Sequence, residues 1–432
     1  MNILVVGAGG RAHALAWKLA RHGHRVVCAP GNPGAAQVAE CVPVALTDVD
    51  ALARLALEQK SELVVIGPEA PLVAGLGDRL RAADIAVFGP GAQGARLEGS
   101  KAFCKAFLTR NGIRTAPFHI VKHIDDAARA ITEIDALGTG VVIKADGLAG
   151  GKGVVVCPSV EQAGITAREF LAGQKFGSAG ETLVVEQRIH GRELSAMALV
   201  DGQSYRLLAP AQDHKPLGDG DIGPHTGGMG AVSPCAWVDG ALLRRIEREI
   251  FTPTLAGLRA QGIDYRGLLY AGLMVDTAGA PWVLEYNCRF GDPEVQTLVV
   301  RLRDDLALWL AGAARGELPR QTMDWDERTA VCVVLASEGY PERAQVGRAI
   351  RGDLAETDSA VVFHAGTAVT DSGSSSVGAP PSRQLVTAGG RVLGVTALGP
   401  TTEAARERAY RTISGIEFTG MHYRTDIGAR AH

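Results

Sequence analysis

Two lysines near the middle of the chain frame its most chemically suggestive stretch. Lys144 ends the apolar run VVIK, and the loop that follows, residues 146–153, carries Lys152 among Gly147, Gly150, Gly151 and Gly153. Backbone amides approach phosphate oxygens closely where no side chain intervenes, and lysines neutralise the charge of a triphosphate. The loop lacks the Walker spacing and the Ser or Thr after its lysine, and it joins strand to strand rather than strand to helix. It is therefore read as a phosphate loop of another kind, ahead of the plainer reading as a flexible hairpin.

Farther along, Glu285 and Asn287 alternate at the end of an apolar strand. They point the same way and offer hard oxygen ligands where Mg2+ would share phosphate oxygens. Directly after them comes Arg289-Phe290-Gly291-Asp292-Pro293-Glu294, for which a salt-bridged helix start is the plain alternative. Cys288 has no ordered Cys/His partner and is assigned to packing. The stretch 212–230, QDHKPLGDGDIGPHTGGMG, holds six glycines and is read as an active-site loop. In it Asp213 and Lys215 could orient a zwitterionic amino acid. His214 and His225 could be acid–base groups or polar loop residues, and for His225 the second reading is favoured. At the N-terminus, Gly7-Ala8-Gly9-Gly10-Arg11-Ala12 fits a dinucleotide fingerprint, which raises an NAD-dependent oxidoreductase as a candidate. The second strand ends in VVCAPGN and lacks the acidic ribose ligand, which demotes that candidate. A phosphate at the helix start and a tight turn that needs glycine only for packing remain equally open for Gly9, Gly10 and Arg11.

Elements must hold these groups in place, and the first hundred residues repeat one pattern of short apolar run, Gly/Pro loop and Ala/Leu helix. Strands are predicted at 3–6, 25–29, 63–66 and 85–88, giving a parallel sheet with its loops gathered at one edge. A helix is predicted at 125–137, with strands at 141–145, 154–157 and 183–187. Strands at 268–275 and 282–286 precede one helix over 295–310. The tail reads as strands at 330–336, 361–364, 385–387 and 392–397, a helix over 403–416, and an exposed mobile loop at 371–382. At 432 residues the chain calls for two to four domains. Hydrophobic residues at 46% and charged ones at 21% exclude disorder, and a net charge of -3 without a basic face argues against nucleic-acid binding. Seven scattered cysteines without a CxxC pair suggest neither disulfides nor zinc. No apolar stretch reaches membrane-spanning length and the N-terminus has no charged leader, so the expected location is cytoplasmic, with no membrane partner.

Taken together, VVGAGGR with HALAW, GPEAPL, LEGSKAF, IKADGLAGGKGV, QDHK, GPHTGGMGA, GLLYAGLMVD, EYNCRFGDPE, VFHAGT and GGRV resemble the ATP-grasp ligases, and within them the glycinamide ribonucleotide synthetase family. The resemblance spans nearly the whole chain. It implies an α/β multidomain fold: an N-terminal doubly wound parallel α/β substrate-binding domain (1–118), a small ATP-grasp lid (119–192), a central ATP-grasp subdomain (193–328) and a small C-terminal α/β domain (329–432). It implies ATP and Mg2+ or Mn2+ as cofactors, glycine and phosphoribosylamine as substrates, and a monomer. Lys105, Lys144 and the loop through Gly147, Gly150, Gly151, Lys152 and Gly153 would meet the ATP phosphates, while Glu186, Ile189 and Glu193 would hold adenine and ribose. Glu285 and Asn287 would bind metal. Gly9, Gly10, Arg11, Glu69, Pro71, Asp213, Lys215, Arg289, Gly291 and Asp292 would line the amine and glycine sites, with Arg289, Lys144 and Asp213 as catalytic groups. Ala12, Arg192, Pro216 and His225 depart from the family's usual residues, which leaves a paralogue acting on a different amine, such as an aminosugar phosphate, as the alternative.

Overall fold

The runs ILVV, VVCA and LVVI have no polar alternation, so strands made from them need cover on both faces, the usual condition of a parallel sheet. In the computed structural model, which describes residues 1–150, 153–173, 177–372 and 382–429, these runs form a five-stranded parallel sheet. Its order is Glu40–Cys41, Arg25–Pro30, Asn2–Gly7, Leu63–Ile66, Val87–Phe88. The chain reverses direction across the sheet between Asn2–Gly7 and Leu63–Ile66, and such a switch point opens a crevice at the strands' carboxyl ends. The last strand is shorter than predicted: only Val87 and Phe88 pair, with Val64 and Val65.

The segment expected to be the lid forms a four-stranded antiparallel sheet, ordered Phe118–Val121, Leu183–Gln187, Val141–Ala145, Val154–Cys157. Helices Ile124–Asp135 and Val160–Leu171 cover it, burying Ile131, Ile134, Ile143 and Phe170 in a core of its own. Next, Arg192–Asp201 and Arg266–Val275 pair along all ten residues, flanked by Tyr205–Leu207 and Pro281–Asn287. The predicted helix over 295–310 is two helices, Glu294–Arg301 and Leu306–Arg315. Leu302 turns extended, and the Asp305 carboxylate caps the second helix by accepting from Ala307 N. The final helix stops at Ile413, and Ile416–Glu417 pairs instead with Arg351–Gly352.

The glycine-rich stretch 212–230 is not simply a loop. Gln212–Asp213 and Gly230–Ser233 join Thr329–Ala336, Arg391–Gly399 and Ala360–His364 in one antiparallel sheet, while Pro216–Gly218 and Ile222–His225 form a hairpin. Local reading misses the hairpin because what fixes it lies about 200 residues downstream. The buried Arg424 donates to Asp221 Oδ1 at 2.7 Å and to Pro216 O at 3.2 Å. Thr425 N donates to Asp219 and Gly220 N to Asp426. Gly151, Lys152 and most of the predicted 371–382 loop lie outside the described residues. No helix among the described residues is long and apolar enough to cross a membrane.

Helix Gly10–Ala20 is packed against strand Ala360–His364 through His13, whose Nδ1 accepts from His364 N at 2.9 Å. Burial, and then His364, push His13 down to about 3, and burial pushes His364 to about 4. Both rings are neutral when folded but take up protons near pH 6.5 when unfolded. Their contribution is fully present above pH 6.5 and is lost as pH falls toward the folded values. The stability of the native chain is therefore expected to drop between about pH 6.5 and 5, and His13→Gln is expected to flatten that limb; denaturant melts across this window giving parallel curves would contradict it.

Candidate active site

Where the parallel sheet's switch point, the lid and the central sheet meet, they enclose a cavity of about 570 Å3. Of the predicted site residues, Arg11, Glu69, Lys105, Lys144, Gly147, Gly150, Gly153, Glu186, Ile189, Glu193, Asp213, Lys215, Glu285, Asn287, Arg289, Gly291 and Asp292 line it. Gly9 and Gly10 sit just behind: a Cβ on either would lie within 3.7 Å of the Asp292 carboxylate. Pro71 is buried within helix Glu69–Val73 and does not reach the cavity.

At the lid end, Lys144 from strand Val141–Ala145 and Lys105 from helix Lys101–Arg110 converge on Glu186. Their Nζ atoms lie 2.6 and 2.5 Å from its two oxygens, with all three side chains at most 5% exposed. Lys105 also donates to Thr115 Oγ1 at 2.6 Å. Burial alone raises a carboxyl and lowers an ammonium. Here the two lysines outweigh burial and hold Glu186 below the usual carboxylate range. Burial also opposes the Lys144 charge, but Glu186 and Glu285 hold that ammonium above the ordinary lysine range. Burial dominates at Lys105 and lowers it. Glu186 thus faces two lysines, whereas the family resemblance implies that it faces adenine and ribose. Glu193 is paired with Lys215 at 3.2 Å.

Glu285 and Asn287 sit opposite Gly272 and Tyr270 on the neighbouring strand, so the predicted alternation places both on one face. Burial disfavours the Glu285 charge, but Lys215, Lys144, Lys101 and Arg289 together pull its carboxyl down. It is ionised, yet it accepts no hydrogen bond among the described residues. Asn287 Oδ1 accepts from Arg289 at 2.9 Å. No cluster of three or more His, Cys, Asp or Glu placed to hold a metal occurs among the described residues. An open carboxylate beside a lysine-lined pocket suits a divalent ion that takes its remaining ligands from phosphate and water.

At the opposite end, Arg289 lies 2.7 Å from Glu98 Oε1 and 3.5 Å from Glu69 Oε2. Burial opposes its charge, but Glu98 and Glu69 outweigh that and raise it. Arg11 reaches across the switch point to donate to Gly67 O, and burial followed by repulsion from Arg289 lowers it to about 10. Asp292 accepts from Gln296 Nε2 at 2.9 Å, and Arg391 lies 3.5 Å from its other oxygen. Asp213 is buried with Oδ1 unpartnered, and burial followed by Glu294 raises its carboxyl well above the usual range. Gly228, at φ +111°, has to be glycine, because a Cβ there would lie 2.6 Å from Asp213 Oδ1. Behind Asp213, Glu294 Oε1 accepts from Tyr270 Oη at 2.6 Å and from Ser195 Oγ at 2.9 Å.

Sequence reasoning overlooks Glu98, Lys101, Tyr270, Glu294 and Arg391, and it undervalues His225, all of which line the cavity. Lys101 and Glu98 stand in LEGSKAF, and Arg391 in GGRV, where a buried arginine needing an anion is the available signal. Of the four departures, His225 alone lines the cavity. Ala12 packs in the core beneath the parallel sheet, Pro216 belongs to the Arg424-held hairpin, and Arg192 lies over the Trp237 ring at 5.4 Å.

Three family models match the chain in succession: the phosphoribosylglycinamide synthetase N domain over residues 1–98, its ATP-grasp (A) domain over 99–295 and its C domain over 330–430. Phosphoribosylamine–glycine ligase of Caulobacter vibrioides is 48% identical over 435 residues, covering 100% of this chain and 98% of that protein. The crystal structure of phosphoribosylamine–glycine ligase from Thermotoga maritima superposes with a TM-score of 0.85 at 34% identity, covering 99% of this chain and 100% of that one. The biotin carboxylase domain of Hydrogenobacter thermophilus 2-oxoglutarate carboxylase, in complex with MgADP, shares the fold at 19% identity, with a TM-score of 0.71 over 98% of this chain and 91% of its own.

The Lys105–Glu186–Lys144 group yields a direct test. Glu186→Gln leaves two buried ammonium groups with no anion between them, and breaking a buried pair costs about 3–5 kcal/mol. A loss of that order is expected in denaturant unfolding. An unchanged midpoint would show that the three groups are not coupled.

Proposed function

The chain belongs to the phosphoribosylglycinamide synthetase family and is an ATP-grasp ligase; from that premise we propose that it joins glycine to 5-phosphoribosylamine through glycyl phosphate, giving glycinamide ribonucleotide, ADP and phosphate. The observation that carries this reading is the single cavity in which the lysine-lined lid, the open Glu285 carboxylate and the Arg11–Arg289–Asp292 end all meet.

Lys105, Lys144 and the amides around Gly147, Gly150 and Gly153 hold the triphosphate, and Gly151 and Lys152 are assigned to the same phosphate-binding role. Glu186 pairs with both lysines and aims them, while Ile189 and Glu193 face adenine and ribose. Glu285 and Asn287 would hold Mg2+ or Mn2+, which when bound would supply positive charge beside the transferring phosphoryl group. Arg289 draws the glycine carboxylate toward the γ-phosphorus, and positioning of this kind is the main contribution a protein makes to phosphoryl transfer. The carboxylate oxygen bonds to phosphorus as the bond to ADP breaks, forming glycyl phosphate. Gly9, Gly10 and Arg11, at the amide-rich start of helix Gly10–Ala20, hold the phosphate of phosphoribosylamine, with Glu69, Gly291 and Asp292 beside them. Its amine attacks the acyl carbon, inorganic phosphate leaves, and the amine's proton passes to Asp213, whose affinity for a proton is raised by burial and then by Glu294. Lys215 orients glycine from the other side.

We read the division at 1–118, 119–192, 193–328 and 329–432 as the functional one, with the first part binding the amine, the second closing over ATP and the chain acting as a cytoplasmic monomer. Because Ala12, Pro216 and Arg192 lie off the cavity, a different amine substrate rests on His225 alone.

The test is ADP release with ATP, Mg2+ and glycine, with and without freshly generated phosphoribosylamine, alongside mass detection of the product. Release that requires both substrates and yields glycinamide ribonucleotide is expected; release without that product would shift the acceptor to another amine. Glu285→Ala is expected to lower turnover by about 100-fold or more, and full turnover in that variant would remove Glu285 from the proposed metal site.

A further inference from the structure

Strands Arg25–Pro30 and Glu40–Cys41 run parallel at the sheet's edge, and their pairing sets Cys28 directly opposite Cys41. Neighbouring strands lie about 4.7–4.9 Å apart, inside the Cα separation of about 4.4–6.8 Å that a disulfide spans. The side chains converge as well. A Cβ at Gly31, where φ is +72°, would lie 3.1 Å from the Cβ of each cysteine and 2.3 Å from Cys41 Sγ. The two thiols are close enough to shift each other's affinity for a proton. Among the described residues no other two cysteines face one another across a strand pair. Cys28 is fully buried and Cys41 only partly buried, so a solvent reagent meets Cys41 first.

The pair is also wired to the glycine turn. Cys41 Sγ donates weakly to Asn32 O at 3.9 Å. The Asn32 side chain donates to Ala8 O and His364 O at 2.8 Å each, tying the start of helix Gly10–Ala20 to strand Ala360–His364.

We propose that Cys28 and Cys41 form a modification site, a thiol pair that low-molecular-weight disulfides oxidise to a reversible cross-strand disulfide, and that closing it shifts Asn32 and weakens binding of the amine substrate. The second half rests on the functional reading above; the first does not. The neighbouring Cys28 thiol pulls Cys41 down to about 7, which favours thiolate there, while that neighbour and burial push Cys28 up. The Cys41 thiolate attacks one sulfur of glutathione disulfide, breaking that S–S bond and releasing one glutathione thiolate, which takes up the Cys28 proton. The Cys28 thiolate then attacks the Cys41 sulfur and expels the second glutathione. Two cysteines are oxidised, and one glutathione disulfide is reduced to two thiols.

The test incubates the native full-length chain with glutathione disulfide, blocks remaining thiols with N-ethylmaleimide and maps peptides by mass. Expected is a linked Cys28–Cys41 peptide lighter by two hydrogens than its parts, the other five cysteines blocked, and reversal by dithiothreitol. The KM for phosphoribosylamine is expected to rise about threefold or more with that for ATP unchanged, and Cys41→Ser to keep basal turnover while losing the response. Glutathione retained on Cys41 without a linked peptide, or no modification at all, overturns the site whatever the enzyme's substrate proves to be. A linked peptide with unchanged KM values overturns the coupling through Asn32.

Discussion

Charge withdrawn from water has to be met by opposite charge, and the centre of this molecule is where that requirement is most severe. Lys105, Lys144, Glu186, Arg289, Glu98, Asp292 and Arg391 all border one cavity, and none of them finds its counter-ion on its own element. Glu186 is a lid residue whose lysine partners come from another lid strand and from the helix that precedes the lid. Arg289, just past the central sheet, is answered by Glu98 and Glu69 from the N-terminal part. Each pair is worth little until the parts that supply it have docked, and each unpaired member would be costly. Neutralisation is therefore a condition that only the assembled arrangement meets, and it holds the parts at their relative positions.

That arrangement leaves a graded interior. The lid end is rich in ammonium groups, the middle offers an open carboxylate, and the far end sets three guanidinium groups, of Arg11, Arg289 and Arg391, against Glu69, Glu98 and Asp292. Asp213 is the exception. Glu294 lies behind it, an oxygen is without a partner, and its burial is only partly answered by Lys215 and Arg391. Asp213 is thus a carboxyl that this network leaves incompletely satisfied.

Much of this is legible in the amino-acid sequence, for reasons that are local. Unalternating apolar runs announce buried parallel strands, and a period of two puts Glu285 and Asn287 on one face. Sequence reasoning fails where distant residues decide. The predicted single helix over 295–310 has an unbroken apolar pattern, but Asp305 caps a second helix inside it. The hairpin between Asp213 and Thr226 contains little that would fold alone; Arg424 and Asp426 fix it from the other end of the chain. Arg391 looks like an ordinary strand start until Asp292, about 100 positions earlier, is found beside it. Sequence periodicity reports which face a residue occupies, whereas ion pairing across such separations reports what the face meets.

The sheet that joins residues 230–233 to residues 329–336 and 391–399 also sets an order in time. A ribosome releases about 5–20 residues each second, so strand Gly230–Ser233 emerges roughly 5–20 seconds before the strand that pairs with it. Through that interval it has an unsatisfied edge, and the hairpin beside it has no Arg424 to hold it. The parallel sheet and the lid, whose strands are complete by residue 187, have no such wait. The catalytic centre is thus the last part of the newborn chain to become whole, and the stretch that lines it is the one most exposed to wrong partners while it waits.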